Sequence, residues 1–455
     1  MKPYPKYKDS GAFWIGKVPE NWKLVKTKYV FSERVEKGYP NEPLLAATQT
    51  KGVVPKSMYE NRTVEAQKDL HLLKLVTPGD FVISLRSFQG GIEYSKHRGI
   101  ISPAYTVMIP NDRIFFEYFR HLAKSKELIS LLKTCVTGIR EGQNINYELL
   151  RKTPMPIPPE SEQIQIACYL DWQTEKIKKF IKNKKKLIAL LKEQKQNIIN
   201  EAVTKGINPN VKMKNSGVEW IGEIPMHWEA LYIRRCTKFV KTGGTPKGAN
   251  ESHFCEKGFD WFTPSDFKEE VFLKNSYRQL SELGKKDVKL FPANTVMMIG
   301  IGGTIGKVSI SPDISSCNQQ INAIFTNERV VSIYMTFALR CLKSFIIECG
   351  KYTTMPIINQ DETKTLKIPV PPISEQQEIV AFIEKETALI DKTIARTEKE
   401  IELIQEYRTR LVSDVVTGKI DVRDVEIPDF VEETVEMEEN EEELNEEHNM
   451  ENGDE

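Results

Sequence analysis

The stretch Lys8-Asp9-Ser10-Gly11-Ala12-Phe13-Trp14-Ile15-Gly16-Lys17-Val18-Pro19 returns as Lys214-Asn215-Ser216-Gly217-Val218-Glu219-Trp220-Ile221-Gly222-Glu223-Ile224-Pro225. A second Trp follows the Pro by three positions in both copies, at Trp22 and Trp228. Another phrase also repeats in the same order: Ile157-Pro158-Pro159-Glu160-Ser161-Glu162-Gln163 against Val370-Pro371-Pro372-Ile373-Ser374-Glu375-Gln376. The period is far longer than the roughly 20 to 50 residues of a solenoid repeat. It marks a duplicated domain, so two like-shaped surfaces are expected.

Downstream of each Pro-Pro the pattern turns helical, with Ser161 and Ser374 read as N-caps. A seam of 3-4 apolar spacing runs through Leu170, Ile177, Ile181, Ile188, Leu191 and Ile198. The same slots in the second copy hold Ile383, Ile390, Ile394, Ile401, Ile404 and Leu411. Polar interruptions coincide as well: Thr174 with Thr387, Lys184 with Thr397, Lys195 with Arg408. One duplicated coiled-coil seam has this form. Each helix is expected to run about 40 residues, hence about 60 Å at 1.5 Å per residue. They end in related sequence, Glu201 to Gly206 and Asp414 to Lys419. A pseudo-twofold axis relating the halves would pack the helices antiparallel; the alternative is two helices each lying on its own domain.

The expected fold is therefore mixed α/β. Two duplicated globular domains are separated by two long antiparallel helices forming a coiled coil, with pseudo-twofold symmetry. The expected divisions are an N-terminal segment (1–22), a first globular domain (23–157), a central region with one long helix (158–228), a second globular domain (229–369), a distal region with the other helix (370–424) and an acidic tail (425–455). Val76 to Ser84 reads as a turn and buried strand, and Leu290 to Ile299 occupies the equivalent place. Between the shared phrases the two domains diverge: the frame repeats and the contents differ.

The formal charge of zero hides an asymmetry. Residues 425–455 hold 15 acidic and no Lys or Arg side chains, which leaves 64 basic and 49 acidic in the rest. A basic body is the footprint of a protein that neutralises phosphates, although a merely solubilising Lys-rich surface looks the same. The tail is poor in large apolar residues and is expected to be disordered. Seven cysteines without C-x-x-C spacing suggest reduced thiols in the cytosol. The N-terminus lacks the pattern of a secretory signal, and no apolar run approaches a membrane span, so a cytoplasmic protein is expected.

Chemistry-bearing motifs are few. Gly300-Ile301-Gly302-Gly303-Thr304-Ile305-Gly306-Lys307-Val308 invites a phosphate-loop reading but fails it, with Ile301 and Val308 where Gly and Ser or Thr are required. A Gly-rich turn that lets a nucleic-acid backbone come close fits better. The six histidines are scattered without metal spacing, and no nucleophile elbow or metalloprotease helix occurs, so neither catalysis nor a metal is assigned to this chain. Polar and basic residues do cluster in the divergent loops. In the first domain they are Arg86, Ser87, Gln89, Lys96, Arg98 and Tyr105, then Arg140, Gln143 and Asn144. In the second they are Lys241, Lys247, Lys307, Asn318 and Gln319, then Lys351 and Asn359. Arg, Asn and Gln suit base edges in the major groove; Lys and Ser suit phosphates.

These residues carry a resemblance. The W-I-G-x-[IV]-P-x-x-W phrase before each globular domain and the P-[IV]-P-P-x-x-E-Q phrase before each helix resemble the specificity (S) subunit of type I restriction–modification systems. The likeness spans nearly the whole chain. Gly303-Thr304-Ile305-Gly306-Lys307-Val308 with Asn318-Gln319 resembles the core of that family's target-recognition domains; the first domain departs from it, with Gly90-Gly91-Ile92 and Ser102-Pro103 instead. The resemblance implies two target-recognition domains, each reading half of a split, asymmetric site in double-stranded DNA. It implies helices that serve as a ruler and dock two methyltransferase subunits, with restriction/translocase subunits joining them. S-adenosylmethionine, ATP and Mg²⁺ would then belong to the partners, with no cofactor in this chain. No Asn/Asp-Pro-Pro-aromatic sequence occurs here, so methylation by the chain alone is not expected. Two rival readings stay open: a coiled-coil scaffold with two protein-binding domains, and a nucleotide-using enzyme resting on the Gly300–Lys307 loop.

Overall fold

The computed structural model describes residues 2–49, 51–58, 69–85, 87–137, 144–268, 270–349 and 357–429. Two compact units emerge: one gathers Met1–Lys184 with the chain from Lys399 onward, the other is Lys185–Glu398. Each is built on the same four-stranded antiparallel sheet. In the first unit, strand Phe31–Arg34 pairs with Thr106–Pro110, which pairs with Phe81–Ile83, which pairs with Glu93–Tyr94. In the second, Thr237–Thr242, Ile321–Thr326, Thr295–Ile299 and Val308–Ser311 follow in the same order and sense. The central strands are largely apolar because both faces are covered, Phe81–Ile83 and Thr295–Ile299 being buried along their length. A helix backs each sheet, Phe116–Leu122 in one and Ser332–Cys341 in the other, and buries an aromatic-rich face. Beyond this frame the units differ. The second adds a sheet of Phe254–Cys255, Gln279–Leu280, Phe259–Phe262 and Ser316–Cys317, where the first has the two-stranded pairs Leu45–Thr48 with Gly52–Pro55 and Lys74–Val76 with Gly99–Ile101.

The two repeated phrases are repeated because they touch. Each W-I-G segment forms a small hairpin, Tyr7–Asp9 with Lys17–Pro19 and Met213–Asn215 with Glu223–Pro225. The next strand, Lys23–Lys26 or Glu229–Tyr232, pairs with the strand that ends in the Pro-rich phrase, Pro154–Ile157 or Lys367–Val370. That pairing sets the second Trp over the Glu of the other phrase. Trp22 Nε1 donates to Glu162 Oε1 at 2.7 Å, and Trp228 Nε1 donates to Glu375 Oε2 at 3.0 Å. The adjacent Gln clamps the loop before the backing helix. Gln163 accepts from the Phe115 amide at 2.7 Å and donates to the Arg113 and Pro158 carbonyls; Gln376 accepts from Val331 at 2.9 Å and donates to Arg329 and Pro371.

The long helices are Glu160–Lys205 and Ile373–Val416, 46 and 44 residues. Ser161 and Ser374 are not their caps. The helices already start at Glu160 and Ile373, and the prolines serve as the boundary, with the Pro159 and Pro372 carbonyls accepting the first turn's amides. A proline fits there because it has no amide to leave unpaired. Each helix gives its first half to the unit it starts in and its second half to the other. Within each unit the two halves run antiparallel. In the first, Lys184 pairs with Glu400 at 2.7 Å, while Ile166 and Leu170 share a core with Leu411, Val412 and Val415. In the second, Lys195 pairs with Asp391 at 2.5 Å, while Ile199 and Val203 share a core with Ile379 and Ile383. Every seam residue is at least half-buried: Leu170, Ile177, Ile383, Ile390, Ile394, Ile401 and Leu411 are buried, with Ile181, Ile188, Leu191, Ile198 and Ile404 intermediate.

The helix ends are fastened alike. Tyr118 Oη donates to the Pro156 and Val416 carbonyls, and Tyr334 Oη to those of Pro369 and Val203. Gly206 and Gly418 close the helices at φ +75° and +77°. At each, the tryptophan ring of the same unit lies 3.1 Å from where a Cβ would stand. Glycine suits the left-handed turn at both, and the ring leaves a Cβ little room.

Candidate nucleic-acid interface

In the second unit, antiparallel pairing places Thr242 opposite Asn322 and Ile299 opposite Ile321. One strand therefore ends where its neighbour begins, and three loops leave from the same edge of the sheet. Backbone bonds tie them together: the Gly244 amide to the Cys317 carbonyl, Gly300 to Gln320, and Ile358 to Gly300, each at 2.8 Å. Trp261 Nε1 donates to the Gly244 carbonyl at 3.0 Å, and Thr245 Oγ1 donates to Gln319 Oε1 at 2.7 Å. Gln319, Thr245, Gly303 and Thr304 form an exposed polar rim on this edge.

The sequence-derived candidates divide into those on the rim and those turned inward. Lys241 is exposed, its ammonium 5.1 Å from the Phe239 ring, and Lys247 is exposed in the following loop. Lys307 is half-buried and donates to the Phe267 carbonyl. Asn318 is corrected. Its side chain is buried, its amide donating to Gln320 Oε1 and its oxygen accepting from the Gln320 backbone, so it shapes the loop and offers nothing outward. Asn359 caps the helix Gln360–Thr365, its oxygen accepting from Asp361 and Glu362 at 2.8 and 2.9 Å.

The equivalent edge of the first unit carries the short helix Ser87–Gly90, which follows strand Phe81–Ile83. Ser87 is corrected as well. It is 2% exposed and its hydroxyl accepts from the Ser84 amide at 2.9 Å, which starts that helix. Gln89, Lys96 and Arg98 are exposed, although Arg98 pairs with Glu42 at 2.7 Å. Tyr105 is half-buried against the apolar cluster of Leu45, Val53 and Val76. Asn144 lies in the short strand Asn144–Ile145. Arg86, Arg140, Gln143 and Lys351 fall outside the described residues.

Lys124 holds this edge together and was not anticipated from the sequence. Its ammonium donates to the carbonyls of Gln49 at 3.1 Å and Gly90 at 3.0 Å, and to Glu93 Oε1 at 2.6 Å. Glu93 is 2% exposed, and burial pushes its carboxyl up to about 7 even though Lys124 pulls the other way. Only the fold could reveal this, because the partners are 31 and 34 positions apart. Histidines scattered in sequence also find acids in space: His121 with Asp171 at 2.8 Å and His227 with Glu375 at 2.9 Å. Both fasten a segment to a long helix. Among the described residues no three His, Cys, Asp or Glu side chains gather as a metal site. Burial pushes the Cys236 thiol up to about 11 and that of Cys341 up to about 12, so neither is a thiolate at neutral pH. No helix among the described residues is long and apolar enough to cross a membrane.

The family model for the type I restriction modification DNA specificity domain matches residues 236–404, which span the second sheet, its loops and most of the second long helix. Two curated relatives extend the likeness over nearly the whole chain. Both come from Methanocaldococcus jannaschii: the type I restriction enzyme MjaVIII specificity subunit, 25% identical over 90% of this chain and 95% of its own, and the putative MjaX specificity subunit, 23% identical over 90% and 96%. Nearly the whole chain is thus similar to type I restriction specificity subunits, and residues 236–404 carry the likeness to the family's DNA specificity domain. Its fold agrees with that likeness. A chain solved in work on complex assembly and conformational transition of a type I R-M system superposes with a TM-score of 0.65, at 14% identity, over 89% of this chain and 99% of that one. The model match begins at Cys236, inside the second unit.

Proposed function

We propose that this chain is a type I restriction specificity subunit that recognises a bipartite, asymmetric site in double-stranded DNA, each unit reading one half. The observation that carries the reading is the pair of equivalent sheet edges, alike in frame and unlike in side chains. One presents Gln89, the other Lys241, Thr245 and Gln319. Two readers sharing a scaffold but differing at the rim suit two different half-sites. The basic excess outside residues 425–455 supports phosphate neutralisation around them.

The subunit makes no covalent change itself on this reading. It docks two methyltransferase subunits, which bind S-adenosylmethionine and methylate adenine, and restriction/translocase subunits, which use ATP and Mg²⁺. Exposed apolar side chains on the long helices, Leu190, Leu389, Leu403 and Tyr407 among them, support such docking. The antiparallel helices act as a spacer that sets the gap between half-sites, and the whole works in the cytoplasm. B-DNA turns once per 34–36 Å or so, so a gap must match the spacer in phase as well as length.

The test is to co-express the full chain with the methyltransferase encoded beside it and map modified adenines genome-wide. One split motif with methylation in both halves is expected. Methylation at an undivided motif, or none that depends on this chain, would overturn the proposal. Adding one helical turn near Lys195 and a matching turn in the facing helix should change the gap and leave both half-sites intact.

A further inference from the structure

Among the described residues of the second unit, one large aromatic side chain is left almost wholly in solvent. Tyr277 is 92% exposed, yet its backbone is fastened on both sides. Asp266 Oδ1 accepts the Tyr277 amide at 2.9 Å. Asp260 Oδ1 accepts both the amide and the hydroxyl of the preceding Ser276 at 2.9 Å, and Gln279 Nε2 reaches the same oxygen at 3.1 Å. Ser276 Oγ also accepts from the Trp261 amide at 3.1 Å, which stitches the loop to the sheet. A slack loop would fold a tyrosine back onto apolar surface, because burying the ring is favourable. Here the tethers hold the ring out.

Its place is not arbitrary. The other carboxylate oxygen of Asp266 accepts the amide and hydroxyl of Thr263 at 2.7 and 2.8 Å, and the neighbouring Phe262 carbonyl accepts the Asn318 amide at 2.9 Å. Tyr277 is therefore linked, through Asp266, Thr263 and Phe262, to the loop that presents Gln319. Beside it lies a groove of about 270 Å³ lined in part by Lys268, Phe272, Lys274 and Asn275. Phe272 is 41% exposed, and the Lys274 side chain is 76% exposed although its ammonium rests 2.7 Å from Glu270. Of the groove's two carboxylates, Asp266 is engaged by backbone and hydroxyl donors, while Glu270 meets Lys274 in an exposed, weak pair that a phosphate can replace.

We propose that Tyr277 is an aromatic contact of the second unit to duplex DNA, its ring packing on a base step or deoxyribose at the edge of the half-site while Lys268 and Lys274 take adjacent phosphates. The inference rests on the DNA-reading function and adds to it a residue outside the sheet-edge loops. An aromatic face packs on any base, and can wedge between steps, without needing a particular sequence. Lysine suits the phosphate beside it as a mobile point charge. A ring held out before binding loses little freedom on docking.

The experiment uses the full chain and a fluorescent mixed-sequence duplex of about 40 base pairs, long enough for several wild-type phosphate contacts, read by anisotropy across a salt series. Tyr277→Ala is expected to weaken binding roughly tenfold without altering the salt slope, since stacking carries no counterion. Tyr277→Phe should stay within about twofold of wild type, and Lys274→Gln should reduce the slope by about one. Equal affinity of wild type and Tyr277→Ala would remove the residue from the interface while leaving DNA reading intact. Equal weakening by Tyr277→Phe and Tyr277→Ala would assign the effect to the hydroxyl and overturn the stacking. A wild-type chain with no salt-dependent DNA binding would instead sink the DNA-reading function, and this inference with it.

Discussion

Glu162 shows how much a single side chain does here. It is 4% exposed and accepts from the hydroxyl of Tyr4, Asn21 Nδ2 at 3.0 Å and Trp22 Nε1 at 2.7 Å. Among the described residues, its counterpart Glu375 accepts from Trp228 and from His227, which is itself about half exposed. Removing a buried acceptor strands its donors, at about 1–3 kcal/mol each for groups that water cannot reach. Glu162→Ala should therefore cost about 2–4 kcal/mol in urea unfolding and Glu375→Ala about half that. Glu93 gives a pH prediction of opposite character. Its carboxyl titrates near 7 in the folded chain and at about 4.3 when unfolded. Between those values the folded state holds the extra proton, so stability is greatest below the unfolded pKa and falls as pH rises through about 7. The loss should be about 3 kcal/mol by pH 8, and Glu93→Gln should flatten that part of the profile. Thermal melts from pH 5 to 8 measure it.

At the scale of elements, the long helices are specified by pattern but terminated by contact. Their seams are legible because apolar residues recur at 3-4 spacing, and each such position is at least half-buried in the fold. Their ends are less legible, since the left-handed glycine matters mainly for what lies against it. At Gly418 an added Cβ would stand 2.4 Å from Pro19 Cδ as well as 3.1 Å from the Trp22 ring; at Gly206 the ring of Trp228 at 3.1 Å is the nearest neighbour. Left-handed backbone alone costs alanine about 1 kcal/mol. Gly206→Ala should cost little more than this, whereas Gly418→Ala should cost about 3 kcal/mol because Pro19 belongs to a backbone-fixed hairpin. Calorimetry of the two variants separates them.

At the scale of the whole molecule, duplication lets one chain carry two related frames with independent rims. Replacing Gln319 and Lys241 together by Ala should alter or abolish recognition of one half of the methylated motif and leave the other half unchanged. Methylome sequencing of the variant reads this directly; a change in both halves would contradict independent readers. The same scale explains which candidate contacts were misjudged. Ser87 and Asn318 belong to polar loop sequences of the kind that reach DNA, and both spend their hydrogen bonds inside the loop instead. Composition cannot separate a polar residue that builds a turn from one that projects from it.

Sequence alone determined the duplication, the two long helices and their seam, because these are written as repeated words and as a period. Those signals are local or self-referential, and they survive without knowledge of what packs where. Only the tertiary structure decided why the words repeat: Trp22 and Glu162 are 140 positions apart, and Trp228 and Glu375 147. It also decided which loop residues face outward, and that Tyr277 is held in solvent by two aspartates. A hydrogen bond between distant residues leaves no periodic trace, since its geometry exists only once the strands that carry its partners have paired.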